Sequence, residues 1–239
     1  MTNPARGGPR VAVIGDGKMG RTIVQLAPER GLVVCALIGA QANERGKGIT
    51  RAALNGADVA IEFTEPRAAA ANVEATLRAG VPIVSGTTGW YDELPRLRQL
   101  ATESAGALFT APNFSVGVAV FARIAERAAS ALARLTAFDA HIVETHHSAK
   151  KDAPSGTAAM LRDVVQARLH RDVPVTSVRT GSVPGTHELI FDAPFEQIRL
   201  THEARDRRVF ADGALLAARW LIGRRGVFDM TDLLDSLLP

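Results

Sequence analysis

The sequence predicts an α/β protein: a doubly wound parallel sheet in the first half, then a smaller α+β segment carrying a mixed sheet. Three observations predict it. Short β-branched runs that are apolar on both faces alternate with amphipathic stretches from residue 11 to residue 112, the pattern of buried parallel strands and crossover helices. After Asn113 the rhythm changes, and strand-like runs follow one another without long helical crossovers, which suggests an antiparallel or mixed sheet. From Arg207 the chain returns to a helical pattern.

The strand runs of the first half are VAVIG (11–15), VVCALIG (33–39), DVAIEFT (58–64), PIVSGT (82–87) and ALFTAP (107–112). Helices are expected near 20–30, 66–80 and 92–104, with Pro66 at a helix N-terminus and Gly80 just past a C-terminus. The Ala-rich stretch from Ser115 to Leu135 reads as a helix and TAFDAHIVETH (136–146) as a strand. A helix capped by Ser155 runs to about Arg168, and VTSVRT, HELIFD and EQIRLTHEA read as strands. A further helix covers Arg207–Ile222, and the tail GVFDMTDLLDSLLP is expected to pack back on the first domain.

A chain of 239 residues with 46% hydrophobic and 22% charged content has enough apolar material for one large or two modest cores. Its 28 basic and 25 acidic residues leave a net charge of +3, without the dense basic stripe and interleaved aromatics of a nucleic-acid binder. Cys35, the single cysteine, lies in VVCALI and reads as a small buried thiol. One cysteine permits no internal disulfide, as expected of a cytoplasmic protein. MTNPARGGPR is not followed by the apolar core of a signal peptide, and no apolar run is long enough for a membrane span, so no membrane partner is expected.

Gly15-Asp16-Gly17-Lys18-Met19-Gly20 is a G-x-G-x-x-G that follows a strand and opens a helix. In that context the glycines permit a tight turn and close backbone approach, and the helix N-terminus offers N–H groups to a pyrophosphate. The acid that usually reads the adenosine ribose, about 20 residues further on, has no counterpart at Ile38-Gly39-Ala40, while Glu44, Arg45 and Lys47 follow nearby. Losing that acid removes both an NAD-selecting hydrogen bond and the charge that repels a 2′-phosphate, so NADPH and NADH both stay open as cofactors. Gly86-Thr87-Thr88-Gly89-Trp90 and Ala111-Pro112-Asn113-Phe114-Ser115 follow the fourth and fifth strands, at the edge where open α/β sheets bind ligands. Their small and hydroxyl residues suit a nicotinamide ribose or amide, and each pattern taken alone equally suits an ordinary turn.

The stretch ETHHSAKKDAPSGT (144–157) concentrates groups of a different kind. A histidine exchanges protons near neutral pH, Lys150 four residues after His146 carries a fixed charge, and the N–H groups of Gly156 and Thr157 can hold a carboxylate. An anionic-substrate site, a solvated polar loop, and a metal site built from Glu144, His141 and His146 are the three readings. The metal reading ranks last because no i, i+4 histidine pair lies on a helix.

Taken together, VAVIGDGKMGR, DVAIEFTEP, VSGTTGW, APNFSVGV, IVETHHSAKKDAPSGTA, SVPGTHE, THEARDRRVFADGALLAARWL and GVFDMTDLL resemble, in order and over nearly the whole chain, the 4-hydroxy-tetrahydrodipicolinate reductases of lysine and diaminopimelate synthesis, also called dihydrodipicolinate reductases. The resemblance implies a Rossmann-like cofactor domain of residues 1–113 with 207–239, and a central substrate and oligomerisation domain of residues 114–206 in a homotetramer. It implies nicotinamide contacts at Gly15 to Met19, Gly86 to Thr88 and Ala111 to Phe114. It makes His146 the proton donor, Lys150 a second proton-donating residue, His147 a substrate contact, and Gly156 with Thr157 the carboxylate contacts. The implied hydride acceptor is a cyclic imine or enamine dicarboxylate.

Two departures both touch the cofactor side: IGDGKMG is one residue shorter than the family's common glycine loop, and Gly39 stands where the ribose acid is expected, in a short 40–57 region. Two other functions stand beside the reductase. A metal-dependent hydrolase using His146 and Glu144 would hold zinc, and a silent NADPH-sensing module would bind without turnover.

Overall fold

A computed structural model describes residues 7–237. Its strands are β1 (Arg10–Ile14), β2 (Val33–Ile38), β3 (Val59–Glu62), β4 (Ile83–Ser85), β5 (Ala107–Thr110), β6 (Asp139–His146), β7 (Val175–Arg179), β8 (Thr186–Ala193), β9 (Glu196–Glu203) and β10 (Gly226–Phe228). The helices are α1 (Lys18–Leu26), α2 (Pro66–Arg78), α3 (Leu94–Glu103), α4 (Val116–Leu132), α5 (Gly156–Leu169), α6 (Arg208–Leu221) and α7 (Met230–Leu237). The chain forms two units, one of residues up to Phe114 together with those from Arg208 onward, the other of Ser115–Arg207.

In the first unit six strands form a sheet of order β10-β5-β4-β3-β1-β2, and every pairing is parallel. The chain leaves β1 to pair β2 on one side and β3 on the other, so the strand order reverses at β1, the place where such sheets open a ligand crevice. β1, β3, β4 and β5 are buried along nearly their whole length, and on one face Ala12, Ile14, Ile83 and Leu108 join a core with Val73, Leu77 and Leu97 of α2 and α3. Pro66 opens α2 at its first turn, and Gly80 beyond the helix end takes φ +74°. The tail adds more than packing, since β10 pairs with β5 as a sixth strand.

The expectation for the second strand is corrected. β2 ends the sheet, so Val33 and Leu37 are 43% and 47% exposed, and Cys35 is half-buried with its thiol toward the Val11 carbonyl at 3.4 Å. An edge strand has no neighbour to cover its outer side, whatever its composition. The first helix also stops earlier, at Leu26, and Pro28–Arg30 forms a separate 3-10 turn closed by Gly31 at φ +69°.

The second unit carries a four-stranded mixed sheet of order β7-β6-β8-β9, with β6 and β7 parallel and the other pairs antiparallel. Along β6 alternate residues are buried, and Ala140 and Ile142 pack with Phe121, Ala125, Leu161, Val165, Leu189 and Phe191 from α4, α5 and β8. Farther along the same face come Glu144 and His146, so one strand face builds the core at one end and presents polar groups at the other. Among the described residues no helix is long and apolar enough to cross a membrane.

Candidate active site

In the second unit the two-residue period of β6 sets Glu144 and His146 side by side on one face. Glu144 is completely buried, and antiparallel register places His187 of β8 directly opposite it, while parallel register sets Arg179 of β7 opposite His146. The Arg179 guanidinium grips Glu144 with Nη2 to Oε1 at 2.6 Å and Nη1 to Oε2 at 3.0 Å, a two-pronged pair suited to the planar fork. The Ser155 backbone N–H donates to Oε1 at 3.2 Å, and His146 Nδ1 bonds Oε2. Burial alone would raise the Glu144 carboxyl, but the bonds from Arg179, Ser177, His146 and Ser155 outweigh it and bring its pKa to about 2.

An ionised carboxylate can only accept, so Nδ1 of His146 carries the hydrogen and Nε2 is the nitrogen left for proton exchange. Burial lowers the His146 pKa below its ordinary value, and Glu144 opposes that fall. Nε2 is open on one side because residue 185 is glycine: a β-carbon there would lie 2.9 Å from Nε2. Gly185 also takes φ +153°, a backbone that other residues avoid. His187 stands edge-on to His146 with ring centroids 5.2 Å apart, and its Nε2 lies 3.2 Å from the Ser155 hydroxyl. Burial first, then the neighbouring His146, takes the His187 pKa down to about 4.

Ser155 caps α5 as expected, its hydroxyl accepting from Ala158 N–H. Gly156 and Thr157 form the first turn of α5, and a β-carbon on Gly156 would meet nothing within 4 Å, so a ligand can approach its backbone. Because Ser155 N–H is bonded to Glu144, this helix N-terminus is tied to His146 through one carboxylate. His147 is half-buried, its N–H donating to Val183 O at 2.8 Å. Lys150 is not a free charge: its ammonium pairs with Asp152 at 2.8 Å with 23% of the side chain exposed.

The metal reading is corrected by the strand period. His141 has odd parity on β6 and points to the face opposite Glu144 and His146. Among the described residues no three His, Cys, Asp or Glu side chains converge on a point.

In the first unit the glycine turn joins β1 to α1. Gly15 takes φ +107°, and a β-carbon on it would sit 2.0 Å from Phe63 O. Its N–H donates to Ile38 O at 2.9 Å, bolting the turn to the end of β2. A β-carbon on Gly20 would come within 1.9 Å of Gly15 O, so α1 packs directly on the turn. Gly17 precedes α1 with no side-chain cap and open space around it, leaving the first-turn N–H groups available. Asp16 and Lys18 are exposed and Met19 half-buried.

A cleft of about 550 Å³ opens there, lined in part by Gly15, Asp16, Gly17, Gly39, Arg45 and Thr64. This uncapped, unobstructed cradle fits a pyrophosphate. Gly86 also leaves room: a β-carbon would overlap the Phe63 ring, 2.0 Å from Cζ. Thr87 is buried and Thr88 exposed. Thr87 donates to Glu62 Oε1 at 2.8 Å and accepts from Thr64 N–H at 2.7 Å. Ala111 and Phe114 are buried, Pro112 is exposed and Asn113 is half-buried, with Phe114 packed edge-on to Phe63 at 5.8 Å.

Sequence reasoning missed Arg179, His187, Gly185 and Glu62. Arg179 is one of 28 basic residues and His187 lies in an ordinary strand, so only the register of β7 and β8 singles them out. The i, i+2 spacing of Glu144 and His146 on a strand was a usable signal for their contact.

A glycine-turn cleft on a parallel sheet and a separate buried histidine–carboxylate pair define a dinucleotide-dependent oxidoreductase. The fold is shared with a dipicolinate-bound dihydrodipicolinate reductase from Paenisporosarcina sp. TG-14, at TM-score 0.78 and 22% identity over 94% of this chain and 99% of that one. It is also shared, more distantly, with an NAD(H)-bound scyllo-inositol dehydrogenase from Lactobacillus casei, at TM-score 0.55 and 9% identity over 95% and 93% of the two chains.

More narrowly, the chain belongs to the dihydrodipicolinate reductase family: residues 9–114 match "Dihydrodipicolinate reductase, N-terminus" and residues 117–234 match "Dihydrodipicolinate reductase, C-terminus". Among its relatives are 4-hydroxy-tetrahydrodipicolinate reductases from Christiangramia forsetii and Archaeoglobus fulgidus. The first is 32% identical over 95% of this chain and 98% of its own, the second 36% over 95% and 100%.

Proposed function

We propose that the chain reduces 4-hydroxy-tetrahydrodipicolinate to tetrahydrodipicolinate with NADH or NADPH, the first unit holding the nucleotide and the second the substrate. The observation that carries the site assignment is His146 held by an ionised Glu144 that also binds the N-terminus of α5. One buried carboxylate thereby fixes the proton donor relative to the backbone groups that attract an anion.

When bound at the glycine turn, a reduced nicotinamide supplies a hydride. His146 takes up a proton at Nε2 from solvent, Glu144 stabilising the imidazolium, and gives that proton to the substrate, which returns the ring to its neutral Nδ1–H form. The N–H groups of Gly156 and Thr157 hold one substrate carboxylate. His147 contacts the substrate, and Lys150, released from Asp152, adds a charge-assisted bond and a second proton source. Gly15 to Gly20 cradle the pyrophosphate, and Gly86, Thr87, Thr88, Ala111, Pro112, Asn113 and Phe114 border the nicotinamide. A homotetramer built on the second unit's sheet is supported by the exposed Phe195, Ile198 and Val178, 101%, 38% and 37% accessible. A cytoplasmic location fits a reductase of this kind.

The test couples the protein to a synthase that makes the substrate in situ and follows oxidation of each reduced nucleotide. Oxidation that depends on the synthase is expected, and its absence with both nucleotides rejects the proposal. Binding of pyridine-2,6-dicarboxylate tests the anion site: Lys150→Ala should weaken it about 10-fold or more while nucleotide binding is unchanged. Equal inhibitor affinity in parent and variant removes Lys150 from the site.

A further inference from the structure

We propose that Asp16, from the glycine turn, supplies the carboxylate that reads the adenosine ribose, and that the chain consequently prefers NADH to NADPH. The inference rests on the reading of the first unit as the nucleotide site. In most dinucleotide folds this carboxylate belongs to a residue at the end of the second strand, and here that position is Gly39. The space above Gly39 is occupied all the same. A β-carbon built on it would lie 2.5 Å from Oδ2 of Asp16, 2.7 Å from its carboxyl carbon and 3.2 Å from Oδ1. The carboxyl group of residue 16 therefore stands within one or two bond lengths of where an acid at residue 39 would begin, and the glycine there leaves it room in this position.

The backbone that carries the carboxyl group is held in place. Gly15 N–H bonds the carbonyl of Ile38, the residue before Gly39, so the turn and the strand end are held together. Asp16, Gly39 and Ala40 line the same cleft. A carboxylate there accepts hydrogen bonds from a ribose 2′-hydroxyl, and it repels a 2′-phosphate that carries close to two negative charges. Two cations, Arg45 and Arg67, line the cleft as well. Arg67 is committed to Glu65 at 2.7 Å. Arg45 is exposed on the 40–48 loop and pulls toward the phosphorylated nucleotide. Asp16 sits at the bolted strand end, where the ribose lies in this class of fold, and opposes it.

Calorimetric titration of NADH and NADPH into the full chain tests this without turnover, using the parent, Asp16→Asn, Gly39→Ala and the double variant Asp16→Gly with Gly39→Asp. Circular dichroism checks that each is folded. The parent should bind NADH at least about 10-fold tighter than NADPH, the effect of one charge-assisted bond. Asp16→Asn should erase that preference. Gly39→Ala, which alters no charge, should reduce it by displacing the carboxylate, and the double variant should restore it. Binding of both nucleotides with a ratio that Asp16→Asn shifts less than about twofold overturns this proposal alone. Binding of neither nucleotide by the parent overturns the nucleotide site and the proposal together.

Discussion

Replacing Glu144 with glutamine keeps the volume of the side chain and removes its charge, and the consequence is calculable from the site. The folded carboxyl has a pKa of about 2 against an ordinary 4.5. Each decade of proton affinity is worth about 1.4 kcal/mol, so the ionised form contributes on the order of 3 kcal/mol. A depressed pKa makes that contribution full above 4.5 and removes it as the pH falls toward 2. Urea unfolding followed by circular dichroism should show Glu144→Gln less stable than the parent by on the order of 3 kcal/mol near neutral pH. The gap should narrow steadily below 4.5, as protons enter the parent's unfolded state first. A gap that is the same at about pH 7 and about pH 3 would refute the claim that buried Glu144 is held ionised by Arg179 and its neighbours.

His187 has the opposite chemistry and a different window. Its folded pKa of about 4 lies below the ordinary 6.5, so the neutral ring stabilises the fold above 6.5 and the contribution is lost as pH falls toward 4; His187→Asn should flatten the stability profile across that interval, and an unchanged slope would assign it to other groups. Gly20→Ala forces a β-carbon to within 1.9 Å of Gly15 O, so thermal unfolding should report a loss of about 1 to 3 kcal/mol and titration a weaker nucleotide. Nucleotide affinity equal to the parent's would make the glycine turn a plain connection. Gly185→Ala crowds Nε2 of His146 and strains a backbone at φ +153°, so kcat should fall by about tenfold or more while nucleotide affinity, which depends on the first unit's glycine turn, holds.

Much of this was legible in the sequence. The doubly wound sheet could be read from runs such as VAVIG and ALFTAP, because strands covered on both faces must be apolar throughout. VVCALI has the same composition yet lies at the sheet edge, since composition does not record how many neighbours a strand has. β10 escaped notice because three residues are too short for a period to show. ETHHSAKKDAPSGT contains Glu144 and His146, which the structure brings into contact, and Ser155 was readable as a cap. The partners of Glu144 were not readable: Arg179 lies 35 residues away on a parallel neighbour, and register is a tertiary property. The same holds for Asp16, an unremarkable residue in the glycine turn until the backbone shows what stands above Gly39.

The central claim is that His146, oriented by Glu144, delivers the proton in a nicotinamide-dependent reduction. Steady-state kinetics of His146→Gln beside the parent, with the substrate generated in situ and oxidation of the reduced nucleotide followed, test it most directly. A proton donor acts chiefly in the transition state, so kcat should fall about 10² to 10⁴-fold while KM changes less than about threefold. A loss of kcat smaller than about tenfold, in a variant that still binds nucleotide and pyridine-2,6-dicarboxylate as the parent does, would contradict the assignment.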